Sequence, residues 1–237
     1  MTMQCLILAG GPGTRMRPMT ERAPKSLLPV NGVPFAHHQL DWLAAEGVTR
    51  VVYSIGYLGS MIRDSIGDGA RWGLDAVYVD EGEDLLGSAG AIRLAMDRNA
   101  VDEKFMVLYG DSYLPIQLSP IWEKAVSAPD PTMTVFRNEG RWDDSNVVFE
   151  DGKVTLYEKG RQDQEAINMR HIDYGLSVLN RGVIAGQVAS GEKADLADVF
   201  HQLSIEGRLL GHEVHERFFE IGSPEGLKEL EAYLGPG

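Results

Sequence analysis

Apolar residues occur in short continuous runs that alternate with segments of helical periodicity through the first half of the chain. The runs predict buried strands, which we place at Gln4–Leu8, Arg50–Ile55, Leu74–Val79 and Lys104–Tyr109. Apolar residues at helical spacing predict one helix from Ala36 to Gly47 and another over Ser88–Met96. Strands that alternate with helices in this order favour a mostly parallel sheet with helices on both faces.

The second half has a different pattern, in which short strand candidates are separated by polar turns. These candidates lie at Thr132–Arg137, Asn146–Phe149, Lys153–Glu158 and Ile172–Leu179. Asp151-Gly152 is a strong hairpin signal between two of them. Helical spacing returns at Leu196–Leu203, and Ser223-Pro224 predicts the capped start of a last helix.

We therefore expect an α/β, Rossmann-like fold, in which helices flank a mixed, mostly parallel sheet and a small β-rich part is added. The change of pattern divides one domain, residues 1–237, into a first half at about 1–130 and a second half at 131–237. A chain of this length can bury a full core without disulfides. The single cysteine, Cys5, excludes an internal disulfide and is interpreted as a packing residue.

The formal net charge of −13 argues against a nucleic-acid-binding protein, which would carry a basic face. No apolar run approaches the roughly 18 residues of a membrane helix, and no secretory signal is visible. We therefore expect a cytoplasmic protein that binds neither nucleic acid nor membrane. Residues 1–30 nevertheless form a locally basic segment, which can attract anions. Its cations are Arg15, Arg17, Arg22 and Lys25.

The glycine-rich segment Gly10–Pro18 directly follows the first predicted strand and is followed by Pro24-Lys25. Glycines let backbone N–H groups approach an anion without interference from Cβ atoms. Arg15 can bind phosphate oxygens with two parallel hydrogen bonds, and Lys25 adds a point charge. The segment therefore favours a phosphate-binding loop over a glycine-rich turn with solvated arginines.

The spacing of this loop excludes two common phosphate-binding motifs. A P-loop requires a Gly-Lys pair, which the loop lacks. The dinucleotide fingerprint begins correctly at Gly11 and Gly13, but Met16 stands in place of its third glycine. A dinucleotide-dependent oxidoreductase is therefore disfavoured.

The whole stretch from Gly10 to Lys25 resembles the signature of the sugar nucleotidyltransferase family, G-G-x-G-T-R-[LM]-x-P-x-T followed by P-K. The resemblance implies that Arg15 binds a triphosphate and that Lys25 acts on the reacting phosphates. It also implies a set of nucleotide-binding residues in the loop, namely Ala9, Gly10, Gly11, Gly13 and Thr14.

Two later segments extend the resemblance. Residues 86–92, Leu-Gly-Ser-Ala-Gly-Ala-Ile, resemble the family's L-G-T-A-G-A-I segment, which implies that Gly87, Ser88 and Gly90 pass close to base and ribose. The same segment is also interpreted as a helix start with Ser88 as the N-cap. Asp111 ends a buried strand, where ligands bind in open α/β sheets, and a carboxylate there is a natural Mg²⁺ ligand beside phosphate oxygens.

Two motifs of the second half imply the sugar-binding residues. Residues 158–160, Glu-Lys-Gly, resemble the family's E-K-P site, in which the glutamate meets sugar hydroxyls and the lysine meets the sugar's phosphate. Residues 173–175, Asp-Tyr-Gly, stand in place of the family's N-A-G, and only the glycine matches. The implied sugar-binding residues are Glu158, Lys159, Asp173 and Gly175, and Lys159 is also a candidate catalytic residue.

The segment Phe219–Glu225 resembles the family's D-[IV]-G-T-P-E. Glu220 stands where the family has a metal-binding aspartate, so it keeps the charge and adds a methylene. The resemblance therefore implies Mg²⁺ held by Asp111 and Glu220, although Mg²⁺ enforces its octahedral geometry strictly and the longer side chain alters that geometry.

The resemblance covers nearly the whole chain and implies an enzyme that transfers a nucleotidyl group from a nucleoside triphosphate to a sugar 1-phosphate. The compact layout is similar to that of the heptose 1-phosphate guanylyltransferases and N-acetylmuramate 1-phosphate uridylyltransferases of the family. The alternative is a nucleotide-sugar-binding regulatory protein on the same fold, which Glu220 would favour and the retention of Lys25 and Asp111 disfavours. A homodimer is expected only because dimers are the commonest soluble assemblies.

Two acidic segments could contact the substrates, but they do not identify the base or the sugar. Residues 80–84, Asp-Glu-Gly-Glu-Asp, are interpreted as a solvated loop, although a carboxylate there would favour guanine by accepting hydrogen bonds from the base. Residues 142–146, Trp-Asp-Asp-Ser-Asn, differ from the Tyr-Gly pair that the family carries near the sugar. They indicate either a different sugar or a rearranged surface loop.

Overall fold

The computed structural model describes residues 2–138, 140–160 and 168–235. Its strands are β1 (Gln4–Leu8), β2 (Pro29–Val30), β3 (Val33–Pro34), β4 (Arg50–Ile55), β5 (Asp75–Asp80), β6 (Lys104–Tyr109), β7 (Ser112–Tyr113), β8 (Thr132–Arg137), β9 (Val147–Glu150), β10 (Lys153–Tyr157), β11 (His171–Asn180), β12 (Leu210–Val214) and β13 (Phe219–Glu220). Its helices are α1 (Phe35–Ala45), α2 (Gly59–Ile66), α3 (Gly87–Asp97), α4 (Ser119–Ser127), α5 (Arg181–Gln187), α6 (Leu196–Ile205) and α7 (Pro224–Leu234). No helix among the described residues is long and apolar enough to cross a membrane.

Nine of the described strands form one sheet in the order β5-β4-β1-β6-β11-β8-β12-β10-β9. The strands of the first half pair in parallel, β1 with β4 and β6, and β4 with β5. Strand β11 pairs antiparallel with β6 and β8, and β10 pairs antiparallel with β9 and β12, whereas β8 and β12 are parallel. The sheet is therefore mixed, and the predicted mostly parallel pairing holds for the strands of the first half. Most strands of the second half pair antiparallel, as short turns such as that of the β9–β10 hairpin require.

The predicted elements are present in the described structure, with ends that move by one or two residues. Ser223 caps α7 as expected, since its side chain accepts a hydrogen bond from the N–H of Gly226 at 3.0 Å. The N-cap expectation for Ser88 is wrong, because Leu86 precedes α3 and no side chain caps that helix. Ser88 Oγ instead accepts a hydrogen bond from the N–H of Leu196 at 2.7 Å, at the start of α6.

Successive residues of β1 are buried on opposite faces of the sheet. Cys5 and Ile7 pack into a core formed with α1, α2 and α4. Leu6 packs into a second core, formed with α3, α5 and α6. Burial raises the pKa of the Cys5 thiol, which keeps this residue neutral and inert in its packing role. A third, smaller cluster attaches α7 to the β7–β13 pair through Phe219 and Leu230.

The carboxyl ends of β1 and β6 meet at one edge of the sheet, and a glycine follows each strand. The N–H of Gly110 donates to the carbonyl of Leu8 at 3.0 Å. A Cβ atom on Gly110 would lie 2.6 Å from that carbonyl oxygen, so only glycine allows this approach. The parallel pairing therefore places Asp111 beside the start of the glycine-rich loop.

Lys104 stabilises the carboxyl end of α4, and its replacement by methionine is expected to lower the free energy of unfolding by about 1–3 kcal/mol. Its ammonium donates to the carbonyls of Ala125 at 3.1 Å and Val126 at 2.9 Å, and also to that of Ala128. The carbonyl of Ala125 also accepts from the N–H of Ala128, but the last carbonyls of a helix generally lack helical partners. Urea unfolding curves of the two proteins measure the difference.

Lys153→Met is the matched control, because Lys153 is exposed on β10. Its change in unfolding free energy is expected to stay within about 0.5 kcal/mol. Equal destabilisation of the two variants would mean that loss of a lysine charge, rather than the cap on α4, explains the effect.

Candidate active site

Three adjoining cavities form a cleft along the carboxyl edge of the parallel strands. The Glu81 cavity, of about 200 Å³, is lined by Leu8, Gly10, Gly11, Glu81, Leu85, Gly87, Ser88 and Ala91. The Lys25 cavity, of about 150 Å³, is lined by Leu8, Ala9, Gly11, Gly13, Lys25, Ser26, Tyr109, Gly110 and Asp111. The Asp173 cavity, of about 380 Å³, is lined by Arg15, Tyr109, Asp111, Ser112, Asp143, Asp144, Asn146, Lys159, Gly160, Ile172, Asp173, Tyr174, Gly175, Phe218 and Glu220. The Glu81 and Lys25 cavities share Leu8 and Gly11, and the Lys25 and Asp173 cavities share Tyr109 and Asp111, so the three cavities are neighbours.

The glycine-rich loop forms the wall that the Glu81 and Lys25 cavities share. Gly11 lines both cavities. The loop is held by Thr20, whose hydroxyl donates to the carbonyl of Gly13 at 2.9 Å, and Thr20 is itself buried. The predicted phosphate-binding segment therefore faces the cleft in a defined conformation.

Lys25 and Asp111 form an ion pair in the Lys25 cavity, with 2.5 Å between Nζ and Oδ2. Their side chains are 19% and 20% exposed, so the pair is only partly screened by water. One charge comes from the glycine-rich segment and the other from the end of β6. A ligand in the cleft would therefore meet a cation and an anion at the same point.

Glu220 lies next to Asp111 because β13 pairs with β7, which places Glu220 opposite Ser112. The N–H of Ile221 also donates to the carbonyl of Asp111 at 3.0 Å. Burial raises the pKa of Glu220, and the charge of Asp111 raises it further, while Arg15 and Lys25 oppose the shift. Two carboxylates therefore share one end of the Asp173 cavity.

Asp111 and Glu220 suit Mg²⁺, which can take its other ligands from phosphate and water, better than a metal ion whose ligands all come from the protein. Among the described residues, no three His, Cys, Asp or Glu side chains are grouped so that they could hold a metal ion. Mg²⁺ needs only one or two carboxylates when phosphate oxygens and water complete its shell. The mutual repulsion of the two carboxylates would also be relieved by a cation between them.

Asp173 is held in place by hydrogen bonds in the wall of the Asp173 cavity. Its Oδ1 accepts a hydrogen bond from the N–H of Gly175 at 3.0 Å, and its own N–H donates to Oδ1 of Asn146 at 3.0 Å. Gly175 has φ +103°, and a Cβ atom there would lie 3.2 Å from Ser112 Oγ, which explains the match to the family's glycine. Lys159 Nζ lies 5.8 Å from the centre of the Tyr109 ring in the same cavity.

Asp173→Asn is expected to be more stable than the unaltered protein at about pH 7.5 without ligands, and the gain is expected to disappear toward about pH 4. Burial raises the pKa of Asp173, with the N–H of Gly175 and the charge of Lys159 opposing. The folded state therefore binds the proton more tightly than the unfolded chain, and stability falls as pH rises through the folded pKa. Asparagine keeps the acceptor oxygen and removes the charge. Urea unfolding at several pH values measures the difference.

Asp144→Asn removes an exposed charge from the same cavity and is the control for this prediction. It is expected to show a small, nearly pH-independent change. Lower stability of Asp173→Asn at about pH 7.5 would contradict the burial of an unfavourable charge.

The cleft collects most of the site residues that the sequence predicted. Those that line it are Ala9, Gly10, Gly11, Gly13, Arg15, Lys25, Gly87, Ser88, Asp111, Lys159, Asp173, Gly175 and Glu220. Thr14, Gly90 and Glu158 are not among the described residues lining these three cavities. The N–H of Gly90 donates to the carbonyl of Ala194 at 3.2 Å, so Gly90 contacts the segment before α6. The binding roles of all these residues stay predictions.

Glu81 is a cleft residue that the interpretation of residues 80–84 as a solvated loop missed. Its Oε1 accepts a hydrogen bond from Ser54 Oγ at 3.1 Å, and its Oε2 accepts one from the N–H of Leu86 at 3.0 Å. The carboxylate therefore organises the wall of the Glu81 cavity. The signal that could have found it is position, because Glu81 directly follows β5 at the carboxyl edge of the sheet.

Comparison with known proteins gives matches over the whole length of the chain. The nucleotidyl transferase family model matches residues 4–218. The N-acetylmuramate alpha-1-phosphate uridylyltransferase of Neisseria meningitidis serogroup B is 28% identical, over 98% of this chain and 99% of that protein. The D-glycero-alpha-D-manno-heptose 1-phosphate guanylyltransferase of Aneurinibacillus thermoaerophilus is 26% identical, over 98% of this chain and 100% of that protein.

The fold is also that of a solved structure. The crystal structure of HddC from Yersinia pseudotuberculosis superposes with a TM-score of 0.80 and 23% sequence identity. The superposition covers 99% of this chain and 100% of that chain. At this identity the likeness concerns the fold, a mixed sheet with flanking helices.

Proposed function

This chain belongs to the nucleotidyl transferase family, and we propose that it transfers a nucleotidyl group from a nucleoside triphosphate to a sugar 1-phosphate in a Mg²⁺-dependent reaction. The observation that carries the proposal is the row of three neighbouring cavities, with Lys25 and Asp111 paired in the one that adjoins both others. The two relatives matched over their full length are named as sugar 1-phosphate nucleotidyltransferases. The products would be a nucleoside diphosphate sugar and pyrophosphate.

The reaction is a direct displacement at the α-phosphorus. A phosphate oxygen of the sugar 1-phosphate forms the new P–O bond, while the bond between the α-phosphorus and the bridging oxygen breaks and pyrophosphate leaves. A phosphomonoester has a second pKa of about 6, so the nucleophile is mostly dianionic at neutral pH and needs no general base. The barrier comes from bringing two polyanions together, and positioning with charge neutralisation lowers it.

The charged residues that line the cleft can supply both the positioning and the charge neutralisation. Arg15 and the glycine-rich loop would bind the departing pyrophosphate. Lys25 would bridge the two reacting phosphates, and Lys159 would orient the incoming one. The nucleotide would then lie in the half formed by residues 1–130, and the sugar in the half formed by residues 131–237.

Asp111 and Glu220 would hold Mg²⁺, which neutralises phosphate charge when it is bound. Lys25 Nζ contacts Asp111, so its ammonium would lie next to the phosphates that a metal at Asp111 would bind. Strand β13 sits directly against the segment that carries Asp111, so the Glu220 carboxylate would face the metal from beside Asp111.

A pyrophosphate-release assay tests the proposal by crossing the four ribonucleoside triphosphates and dTTP with hexose, N-acetylhexosamine, N-acetylmuramate and heptose 1-phosphates. Release that requires one triphosphate, one sugar phosphate and Mg²⁺ together is the expected result. Nucleotide or nucleotide-sugar binding without release for any pair would overturn the proposal and favour the regulatory alternative. A Lys25→Ala preparation controls for contaminating activity.

A further inference from the structure

The described side chains that line the Asp173 cavity carry an excess of negative charge. Among its described lining residues, five side chains are acidic and two are basic. Asp143 and Asp144 are exposed at its rim, and Asp173 lies in the same cavity. Asp143 and Asp144 belong to the segment 142–146 that departs from the family pattern.

The two cations of this cavity are suited to phosphates. Arg15 lies close enough to Glu220 to oppose the rise in that residue's pKa, which places it at the Asp111 end. Lys159 stands over the Tyr109 ring, and Tyr109 also lines the Lys25 cavity. Asp143 also acts on the pKa of Glu220, and Lys159 opposes the rise in the pKa of Asp173, so cations and carboxylates are interspersed along this cavity and the carboxylates are in excess.

Two anchors fix the acidic rim. The side chain of Asn138, which is fully buried, donates to the carbonyl of Asp143 at 2.6 Å and to Ser145 Oγ at 3.2 Å. The guanidinium of Arg217 stacks 3.6 Å from the centre of the Trp142 ring and pairs with Glu229 of α7. The rim is thus a built wall, attached to the interior and to the last helix.

We infer that the sugar 1-phosphate accepted here carries no anionic group besides its phosphate, and that Asp143 and Asp144 reject sugars bearing a carboxylate. The inference rests on the proposed function. A second anion on the sugar would enter a cavity in which carboxylates outnumber cations and repel it, whereas hydroxyl and amide groups can donate hydrogen bonds to carboxylates. N-acetylmuramate 1-phosphate, with its lactyl carboxylate, is accordingly excluded, and neutral hexose, heptose or N-acetylhexosamine phosphates are favoured.

Two matched pairs of substrates test the inference with the intact protein. Glucose and glucuronate 1-phosphates differ only at C6, and N-acetylglucosamine and N-acetylmuramate 1-phosphates differ only by the lactyl group. The neutral member of each pair is expected to have the higher kcat/KM, by about tenfold or more, and the ratio is expected to shrink as ionic strength rises. A pair that is not turned over is compared as competitive inhibitors of the best sugar phosphate.

The double variant Asp143→Asn with Asp144→Asn is expected to reduce the neutral-to-carboxylated ratio severalfold, because it removes both rim charges and keeps side-chain size. The control is Asp102→Asn with Glu103→Gln. This adjacent acidic pair is exposed at the opposite end of β6, so the net charge changes equally and the ratio is expected to stay the same.

The outcomes separate this inference from the proposed function. Faster turnover of a carboxylated sugar by the unaltered protein, or an unchanged ratio in the rim variant, would overturn the inference and leave the transferase standing. Absence of pyrophosphate release with every pair of substrates would overturn both.

Discussion

Replacing Asp111 with alanine is expected to lower kcat about a hundred- to a thousandfold, with a much smaller rise in KM. Asp111 is the carboxylate that pairs with Lys25 at 2.5 Å and adjoins Glu220 across the β7–β13 pairing. In the proposed reaction it acts where phosphate charge changes in the transition state, so its loss affects turnover more than binding. Steady-state pyrophosphate release over a range of Mg²⁺ concentrations measures both constants.

Asp130→Ala is the matched control for this experiment. Asp130 also forms an ion pair, with 3.4 Å between its Oδ1 and Nε of Arg208, but this pair lies outside the cleft. Its loss is expected to leave kcat within about twofold and to change stability by less than about 1 kcal/mol. Near-normal turnover of Asp111→Ala would refute the assignment of Asp111 to the reacting centre.

Lys25→Ala is expected to lower kcat by a similar factor, about a hundred- to a thousandfold. Lys25 would neutralise both reacting phosphates as a compact point charge, and no other described cation lines the Lys25 cavity. Lys25→Arg is expected to recover only part of the rate, since a planar guanidinium distributes its charge differently. Lys153→Ala, on the exposed face of β10, serves as the control and should retain full turnover.

The double variant of Lys25 and Asp111 distinguishes a shared role from two separate ones. Because the two side chains are in contact, their effects on kcat are expected to be far from additive. A double variant only slightly slower than either single variant is the expected result. Effects that multiply would mean that the two residues act independently and that their ion pair is incidental to catalysis.

Local patterns predicted most strands of the main sheet and helices α1, α3, α6 and α7, but not α2, α4 or α5. The apolar run Gln4–Leu8 became a strand with residues buried on both faces, and Ser223-Pro224 became the capped start of α7. These features depend on residues close together in the chain, so periodicity and capping chemistry report them directly. The glycine-rich segment could likewise be interpreted from its own residues and spacing.

Ser88 and Glu81 show where local patterns fail. Ser88 has the composition of an N-cap, but its hydroxyl is engaged by Leu196 and Asp195, more than 100 residues away in the chain. Glu81 belongs to an acidic run, but Ser54 of the neighbouring strand and Leu86 of the next loop surround its carboxylate. Glu81 meets Ser54 because β4 pairs with β5, and Ser88 meets the residues that begin α6. No local periodicity reports either contact.

The sequence by itself determined most of the elements and the family resemblance, and it predicted candidate site residues, most of which line the cleft. The tertiary structure alone decided how they combine. Strand β11 inserts antiparallel between β6 and β8, which places Gly175 against Ser112 and Asp173 in the cavity that Asp111 also lines. It also decided that Asp143 and Asp144 face the cavity, since Arg217 and Asn138 hold their segment there. The physical reason is that pairing between distant strands and packing of remote side chains depend on the whole chain folding at once, whereas propensity and periodicity are properties of neighbours.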